Sequence, residues 1–306
     1  MKITCSILCY NYGRYLNQAI ESCLNQAPGD YELEVLVIDD GSTDETPEVC
    51  QRYQDSIRVL RSENQGFAAS LTKAIREASG DYVCLLDADD YFAQKKLVTI
   101  LPYVQKGYLY IKNRKYIIDR EGKVAEGKLA RGGSTSSQCL NRAAALTLLP
   151  ADNDLFSHPL NSAGHGIELS EPLTYYRMHD ASITDRQVPG DQHHYLARVT
   201  HALADRLLVM ARESACSWAT TSMLKKISKE YRAIAYYDEM EAALELKQRG
   251  KALKACLGIL MAAVGCQTGL TVWHLKVIVR WILGKQIRKY PEEVLGRGKQ
   301  RPTGKR

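Results

Sequence analysis

No two of the nine cysteines are spaced as Cys-x-x-Cys, and Cys5, Cys9, Cys84 and Cys256 sit inside apolar runs. That excludes a zinc ribbon and a disulfide frame; the pattern reads as reduced, buried thiols, which favours the cytosol. A leader peptide is not expected either: Met1-Lys2 runs directly into the segment Ile3 to Cys9, too short and too quickly polar for a signal sequence. No internal repeat is evident. The first strand is not followed by a Gly-rich loop bearing Lys or Arg, and Tyr10-Asn-Tyr-Gly-Arg14 is a poor version of one, which weakens a nucleotidyltransferase reading. Basic charge is present, but without an aromatic platform or base-reading motif, so nucleic acid is not expected as a partner.

What is there is a chain of 306 residues, long enough to bury a substantial core, with a formal net charge of +6. That charge is concentrated at one end. From Lys276 onward ten Lys and Arg face only Glu292 and Glu293, a net +8, leaving −2 for everything before. Such a tail is either a solvated, disordered end or a contact for an anionic surface.

The first hundred residues alternate strand and helix signals. Apolar runs at Ile3 to Cys9, Glu34 to Ile38, Ile57 to Arg61 and the stretch ending at Asp87 read as strands. Between them, Leu16, Ala19, Ile20, Cys23 and Leu24 recur at helical spacing, Ser42 with Glu45 or Asp44 itself caps a helix carrying Val49 and Cys50, and a third helix covers Phe67 to Ala78. A βαβαβαβ order implies a parallel sheet with ligands at the carboxyl ends of its strands. Polar clusters fall at those ends: Tyr10-Asn11, Asp39-Asp40-Gly41-Ser42, Asn64 to Gly66, and Asp87 to Asp90.

Beyond, strands are expected at Tyr108 to Ile111, Lys115 to Ile118 and Pro172 to Arg177, with a turn at Asp119 to Gly122 leading to Val124. A helix is expected near Leu140 to Leu149, after a Gly/Ser-rich loop at Gly132 to Ser137. From about residue 190 helix signals follow one another, near 192–213, 222–248 and 251–264. The stretch Ala255 to Leu275 has no formal charge and is long enough to span a bilayer, but Gly265-Cys-Gln-Thr-Gly269 splits it. Residues 270–287 then mix Trp273, Val277 and Trp281 with Lys276, Arg280, Lys285 and Arg288, which suits an interfacial helix. Packing, membrane-surface attachment and a true span all stay open for 255–287.

The carboxylates Asp87, Asp89 and Asp90 carry the chemistry. So dense a cluster repels itself unless screened by solvent or a hard cation, and an oxygen-only set with few protein ligands suits Mg²⁺ or Mn²⁺ shared with a substrate phosphate. The plain alternative is a solvated acidic turn after a strand.

Taken together, the motifs over roughly residues 1–185 resemble family 2 glycosyltransferases, inverting enzymes with the GT-A nucleotide-sugar fold. The resemblance is carried by Ser6 to Leu16 with Ile20, Ser22 and Gln26, Val37-Ile-Asp-Asp-Gly-Ser-Thr-Asp44, Asn64-Gln-Gly66, Gly80 to Asp90 with its Asp-x-Asp, and Leu173-Thr-Tyr-Tyr-Arg-Met-His179 followed by Ser182. It implies a Rossmann-like α/β fold, a mostly parallel central sheet flanked by helices, with a C-terminal helical appendage. The expected domains are 1–190 (1–100 nucleotide-sugar half, 101–190 acceptor half), a helical appendage over 191–290, and a disordered basic tail over 291–306.

By the same resemblance, Asp89 is the direct ligand of Mn²⁺ or Mg²⁺, Asp87 contacts the ribose or the metal, and His179 completes the metal or diphosphate shell unless it is an ordinary loop histidine. Asp39 bonds the nucleobase, and Tyr10, Asn11, Asn64 and Gly66 line the nucleoside pocket. Asp40 has the alternative of capping the Asp-Gly turn, and Lys73 reaches a phosphate or is a surface lysine. Asp152 aligns best as the general base. Its expected preceding glutamate is Ala151, however, and a commonly basic position is His158, so Asp154 competes with it. The Gly132 to Ser137 loop either contacts a sugar or is mobile.

The implied activity is transfer from a nucleoside-diphosphate sugar, uridine-linked by preference, to a saccharide or glycolipid acceptor in cell-surface polysaccharide synthesis. The implied place is the cytosol or its membrane face, with an anionic membrane surface as a partner through the basic helix. The alternatives are a catalytically degenerate nucleotide-sugar-binding protein, which the Ala151 departure keeps open, and a nucleotidyltransferase.

Overall fold

The structure, a computed structural model, describes residues 1–130, 134–178, 191–213 and 216–263. The chain forms two compact units, Met1–Asp185 and Arg186–Arg306.

Unit 1 is an α/β sheet with helices against it. Its first half runs β1 (Lys2–Cys9), α1 (Gly13–Leu24), β2 (Glu32–Asp39), α2 (Thr46–Arg52), β3 (Arg58–Arg61), α3 (Phe67–Glu77) and β4 (Tyr82–Asp87). β1 and β4 are buried almost end to end because helices shield the sheet, so their sequences are apolar runs rather than alternations. In α1 the buried Leu16, Ala19, Ile20 and Cys23 follow helical spacing, and α3 presents Leu71, Ala74 and Ile75 the same way.

The sheet order is β3-β2-β1-β4-β8-β6-β9-β5, with β7 on β6. β1 pairs in parallel with β2 and β4, and β2 with β3. The second half is mixed. The two-residue β5 (Tyr91–Phe92) and α4 (Lys96–Gln105) lead into β6 (Tyr110–Ile118), which is antiparallel to β7 (Val124–Ala130) and β8 (Gln138–Asn141) and parallel to β9 (Gly166–Arg177). Where two strands are expected over 108–118, there is one. Its polar centre stays in the sheet because Lys112 finds Glu168 at 3.1 Å on β9.

The helix expected over Leu140 to Leu149 is instead the end of β8 followed by the short α5 (Arg142–Leu146). Asn141 stops the strand by taking the Ala144 N–H on its side chain at 3.0 Å, and Cys139 and Leu140 pair with both β4 and β6. A 3₁₀ turn, Asp154–Ser157, runs into the single turn α6 (His158–Leu160), and β9 starts six residues before the expected Pro172. The thiols of Cys5, Cys84 and Cys139 are register neighbours on β1, β4 and β8, free and buried.

In unit 2, α7 (Asp191–Glu213), α8 (Thr221–Glu245) and α9 (Arg249–Ala263) pack in sequence. Thr220 caps α8 by accepting the Met223 N–H at 3.2 Å. Tyr237, Met240, Ala243, Ala252, Ala255, Cys256 and Ile259 form the α8–α9 core. Small residues let the helices approach closely: a Cβ on Gly258 would lie 2.6 Å from the Tyr236 ring. Among the described residues no helix is long and apolar enough to cross a membrane. The expected turn at 265–269, the helix over 270–287 and the basic tail lie outside them.

Candidate active site

The carboxyl ends of β1, β2 and β3 are laced together by loop hydrogen bonds. After β1, Tyr10 is exposed and Asn11 takes a left-handed conformation (φ 57°), which Asn tolerates better than most residues. The Asn11 N–H donates to Ser42 Oγ at 3.0 Å, and its own Oδ1 accepts the Thr43 N–H at 2.7 Å. Asp44, rather than Ser42 with Glu45, starts α2: it accepts the N–H and the hydroxyl of Thr46 at 3.0 and 2.6 Å and reaches the Gly13 N–H at 2.9 Å. Gly13 is obligatory there, since a Cβ would lie 2.6 Å from Thr46 N.

The two aspartates after β2 divide their work differently from expectation. Asp39, not Asp40, caps the Asp-Gly turn, accepting the Ser42 N–H at 2.9 Å, and it faces Arg61 Nε at 3.4 Å while only 1 % exposed. Asp40 turns to the next loop and accepts the N–H groups of Gln65 and Gly66 at 2.9 and 2.8 Å. Gly66 is left-handed (φ 86°) and precedes α3, while Asn64 is exposed. Tyr10, Asn11, Asp39, Asn64 and Gly66 thus belong to three adjacent loops on one rim.

β4 delivers the acidic group to the same rim. Asp87 and Asp89 are half-buried and Asp90 is 2 % exposed. The Asp87 N–H donates to Ser136 Oγ at 3.0 Å, and that hydroxyl donates to Asp87 Oδ2 at 3.3 Å. Asp90 Oδ1 accepts the Arg177 N–H at 2.8 Å, while its Oδ2 is buried with no hydrogen-bond partner. Burial, reinforced by Asp90, Asp89 and Asp154, drives the Asp87 carboxyl well above the carboxylate range, and burial with Asp89 pushes Asp90 up to about 7.

This donor set fits a hard divalent cation. All its donors are oxygens, they repel one another, and the orphaned Asp90 Oδ2 is the kind of buried acceptor a cation satisfies. Among the described residues no three acidic, histidine or thiol groups converge on one point. His179 lies outside the described residues.

Three cationic side chains that the sequence pattern did not single out build this rim. Arg177, 3 % exposed, donates Nε to the Asp89 carbonyl at 2.8 Å and its terminal nitrogens to Gln18 Oε1 and the Arg120 carbonyl at 2.7 and 2.8 Å, over the Tyr15 ring. Lys96, fully buried, donates Nζ to the Ser136 carbonyl at 2.9 Å and to Thr174 Oγ1 at 3.2 Å, and burial pulls its ammonium pKa down. Lys115 donates to Ser134 Oγ at 3.0 Å and lies over the Tyr176 ring; burial lowers its pKa while Asp90, Asp87 and Asp154 oppose that shift. The Ser134 to Ser137 part of the Gly/Ser loop is therefore held against the acidic group. Gly132 and Gly133 lie outside the described residues.

The candidate bases part company. Asn153 between them caps the 3₁₀ turn through the Leu155 N–H at 3.0 Å. Asp154 acts electrostatically on Asp87 and Lys115. Asp152 lines a cavity beside α3, where the Ala151 N–H donates to Thr72 Oγ1 at 2.9 Å. His158 is buried, edge-on to the Tyr110 ring.

Residues 4–150 match the family model for glycosyl transferase family 2. Over 118 residues the chain is 38% identical to an uncharacterized glycosyltransferase of Haemophilus influenzae, covering 37% of this chain and 46% of that protein. Over 113 residues it is 35% identical to one of Mycoplasma genitalium, covering 35% and 38%. Over 101 residues it is 35% identical to the minor teichoic acid biosynthesis protein GgaA of Bacillus subtilis, covering 31% and 23%. The matches thus span less than half the length of these relatives. Among solved structures, S. aureus TarS 1–349 in complex with UDP-GlcNAc superposes with a TM-score of 0.62 at 14% identity, covering 94% of this chain and 93% of that one, which is a likeness of fold. With the acidic rim on a sheet of this order, the chain carries a family 2 glycosyltransferase domain on a GT-A fold.

Proposed function

We propose that the chain is a metal-dependent inverting glycosyltransferase that moves a sugar from a nucleoside-diphosphate sugar to a hydroxyl of a saccharide or glycolipid acceptor, in cell-surface polysaccharide synthesis. The observation that carries this reading is the set of Asp87, Asp89 and Asp90 at the carboxyl end of β4, self-repelling and with one orphaned oxygen, beside the loops of Asn11 and Asp39. A uridine donor is supported by the UDP-GlcNAc complex of the structurally similar TarS.

In this reading Asp89 and Asp87 hold Mn²⁺ or Mg²⁺, which when bound neutralises the charge of the departing diphosphate. Tyr10, Asn11 and Asn64 line the nucleoside, with Gly66 leaving room beside them. Asp39 presents its carboxylate, already shared with Arg61, to donors on the base. Ser136 holds Asp87 by two hydrogen bonds, so the carboxylate is positioned before the donor arrives.

Inversion requires the base to take the acceptor proton on the face opposite the leaving group. Asp154, whose charge bears on Asp87 and Lys115, belongs to the leaving-group side. Asp152, which lines the cavity beside α3 and aligns best with the family's base, is taken as the base. Substituting Asp152→Asn should lower kcat by about 10²–10⁴-fold with Mn²⁺-dependent UDP binding intact. Equal transfer by wild type and Asp152→Asn, with loss confined to Asp154→Asn, reassigns the base.

The exposed stripe Leu253, Leu257, Leu260 and Met261 on α9 supports placement at an anionic membrane surface on the cytosolic side, ahead of the net +8 that starts at Lys276. Co-sedimentation with phosphatidylglycerol vesicles, lost on substituting these four residues by Ser, tests it.

A further inference from the structure

Three lysine side chains are buried in the second half of unit 1, Lys96, Lys112 and Lys115, and they differ in how their charge is met. Lys112 has a carboxylate, Glu168, at 3.1 Å. Lys96 gives its ammonium to the Ser136 carbonyl and to Thr174 Oγ1, and lies 3.6 Å from the centre of the Phe92 ring. Both are accounted for within the fold. Lys115 is not. An ammonium carries three N–H donors, and among the described residues Lys115 gives Nζ to a single acceptor, Ser134 Oγ at 3.0 Å, with no ion pair within 4.0 Å. Its other neighbour, the Tyr176 ring at 3.7 Å, is uncharged.

This unspent charge belongs to the acidic rim. Asp90, Asp87 and Asp154 act on Lys115 through space, against the burial that lowers its pKa. Ser134, which Lys115 holds, stands two residues from Ser136, which holds Asp87. One divalent cation offsets two of the three carboxylates at the end of β4, so a diphosphate arriving there brings negative charge to a site that is already negative. Such a ligand needs a second, fixed positive charge with donors to give. Among the three buried lysines only Lys115 has them. A charge-assisted bond from a buried ammonium to phosphate is also among the stronger hydrogen bonds a protein makes.

We infer that Lys115 donates to an oxygen of the sugar-bearing phosphate of the donor, so that the departing diphosphate is held by this ammonium as well as by the divalent cation. The inference rests on the glycosyltransferase reading. When the bond from the sugar's anomeric carbon to the phosphate oxygen breaks, its electron pair stays on that oxygen, the acceptor's proton goes to the base, and Lys115 stabilises the new charge without giving up a proton of its own. Lys115 is then a phosphate-binding residue as well as a brace for the loop of Ser134.

The test is titration calorimetry of the full chain with UDP, UMP and uridine in Mn²⁺, on wild type, Lys115→Gln, Lys115→Met and Lys115→Arg. Gln keeps a donor for Ser134 but not the charge, Met keeps neither, and Arg keeps the charge. The neutral variants should lose at least tenfold in UDP affinity while UMP and uridine change less than threefold, and Arg should recover part of the loss. Unchanged UDP affinity in a folded neutral variant overturns the inference. So does an equal loss for all three ligands, which is what a brace alone would give. Failure of both neutral variants to fold would make the charge a structural counter-ion to the carboxylates and overturn it as well. Wild type that binds none of the three ligands sinks the uridine-donor reading itself and takes this inference with it, whereas wild type that binds UDP beside indifferent variants sinks only Lys115.

Discussion

Arg177 and Asp90 are joined main chain to side chain, the Arg177 N–H donating to Asp90 Oδ1 at 2.8 Å across 87 positions of sequence, while the Arg177 guanidinium ties the Asp89 carbonyl. The end of β9 thereby fixes the loop that follows β4. The side chain works through other residues and has no reach into substrate chemistry of its own, so it is a positioning residue.

Replacing Arg177 by Met should cost about 2 kcal/mol, because the buried guanidinium's hydrogen bonds to the carbonyls at 89, 119 and 120 and to the Gln18 amide are lost. Lys at this position restores the charge but not the fork, and should recover less than half of that loss. Urea denaturation measures both, and Mn²⁺-dependent UDP affinity should fall in each.

Ser136→Ala separates positioning from stability. The hydroxyl bonds the Asp87 N–H and carboxylate and also favours the charged form of Asp90, while Thr174 and Lys96 hold the Ser136 carbonyl independently. The variant should lose about 1 kcal/mol of stability and about tenfold in UDP affinity with Mn²⁺, a split that calorimetry and thermal melts can resolve together.

The first half of unit 1 was legible because its strands are apolar runs shielded by helices and its punctuation is local, as where Asp44 takes the Thr46 N–H. The second half hid its pattern in polar residues. Lys112 and Asn113 sit buried in β6 only because Glu168 and Thr174 on β9 meet them, and nothing within ten residues reveals that. The same holds for the rim. The acidic group stood out in the sequence, whereas the groups that hold it, Arg177 at the end of β9, Ser136 in the loop before β8 and Lys96 at the start of α4, read as ordinary residues. The turn cap offered as an alternative for Asp40 falls to Asp39 for a related reason, since Asp40 is drawn to the Gln65 and Gly66 N–H groups.

Gly13→Ala should destabilise the chain by about 1–3 kcal/mol, as for overpacking at a tight contact, because the new methyl meets Thr46 N and the Glu45 carbonyl carbon, backbone that is itself held by Asp44. Its chemical denaturation midpoint should fall without a change in the slope of the transition.

Unit 2 carries a pH dependence of defined sign. His193 donates to or accepts from Asp238 at 2.9 Å, with Glu245 at 3.9 Å and Glu241 nearby; Asp238 chiefly raises the His193 pKa, and burial raises that of Asp238. Both groups bind protons more tightly when folded. The His193 contribution is complete below the ordinary histidine pKa near 6.5 and is lost as pH rises through its raised folded value, and Asp238 acts in the same direction at lower pH. Melting followed by the helical signal should therefore fall from pH 6 toward pH 8, and His193→Gln should flatten that slope; an equal slope in both proteins would exclude the pair as its source.

Asp89→Asn pits stability against binding. Without a cation, the Asp89 charge opposes ionisation of both Asp87 and Asp90, so removing it should stabilise the chain by about 1 kcal/mol, or roughly 2–4 °C in Tm. With a cation, the same change removes the carboxylate proposed as its direct ligand, and UDP with Mn²⁺ should no longer raise the Tm. The Asp89 carbonyl that Arg177 holds is main chain and survives the substitution, which keeps the loop in place and makes the two effects separable. A higher Tm in chelator together with a lost Mn²⁺–UDP shift is the expected pair. A variant that keeps the full shift would remove Asp89 from the cation site, and one that melts lower in chelator would mean that the carboxylate stabilises the rim instead of straining it.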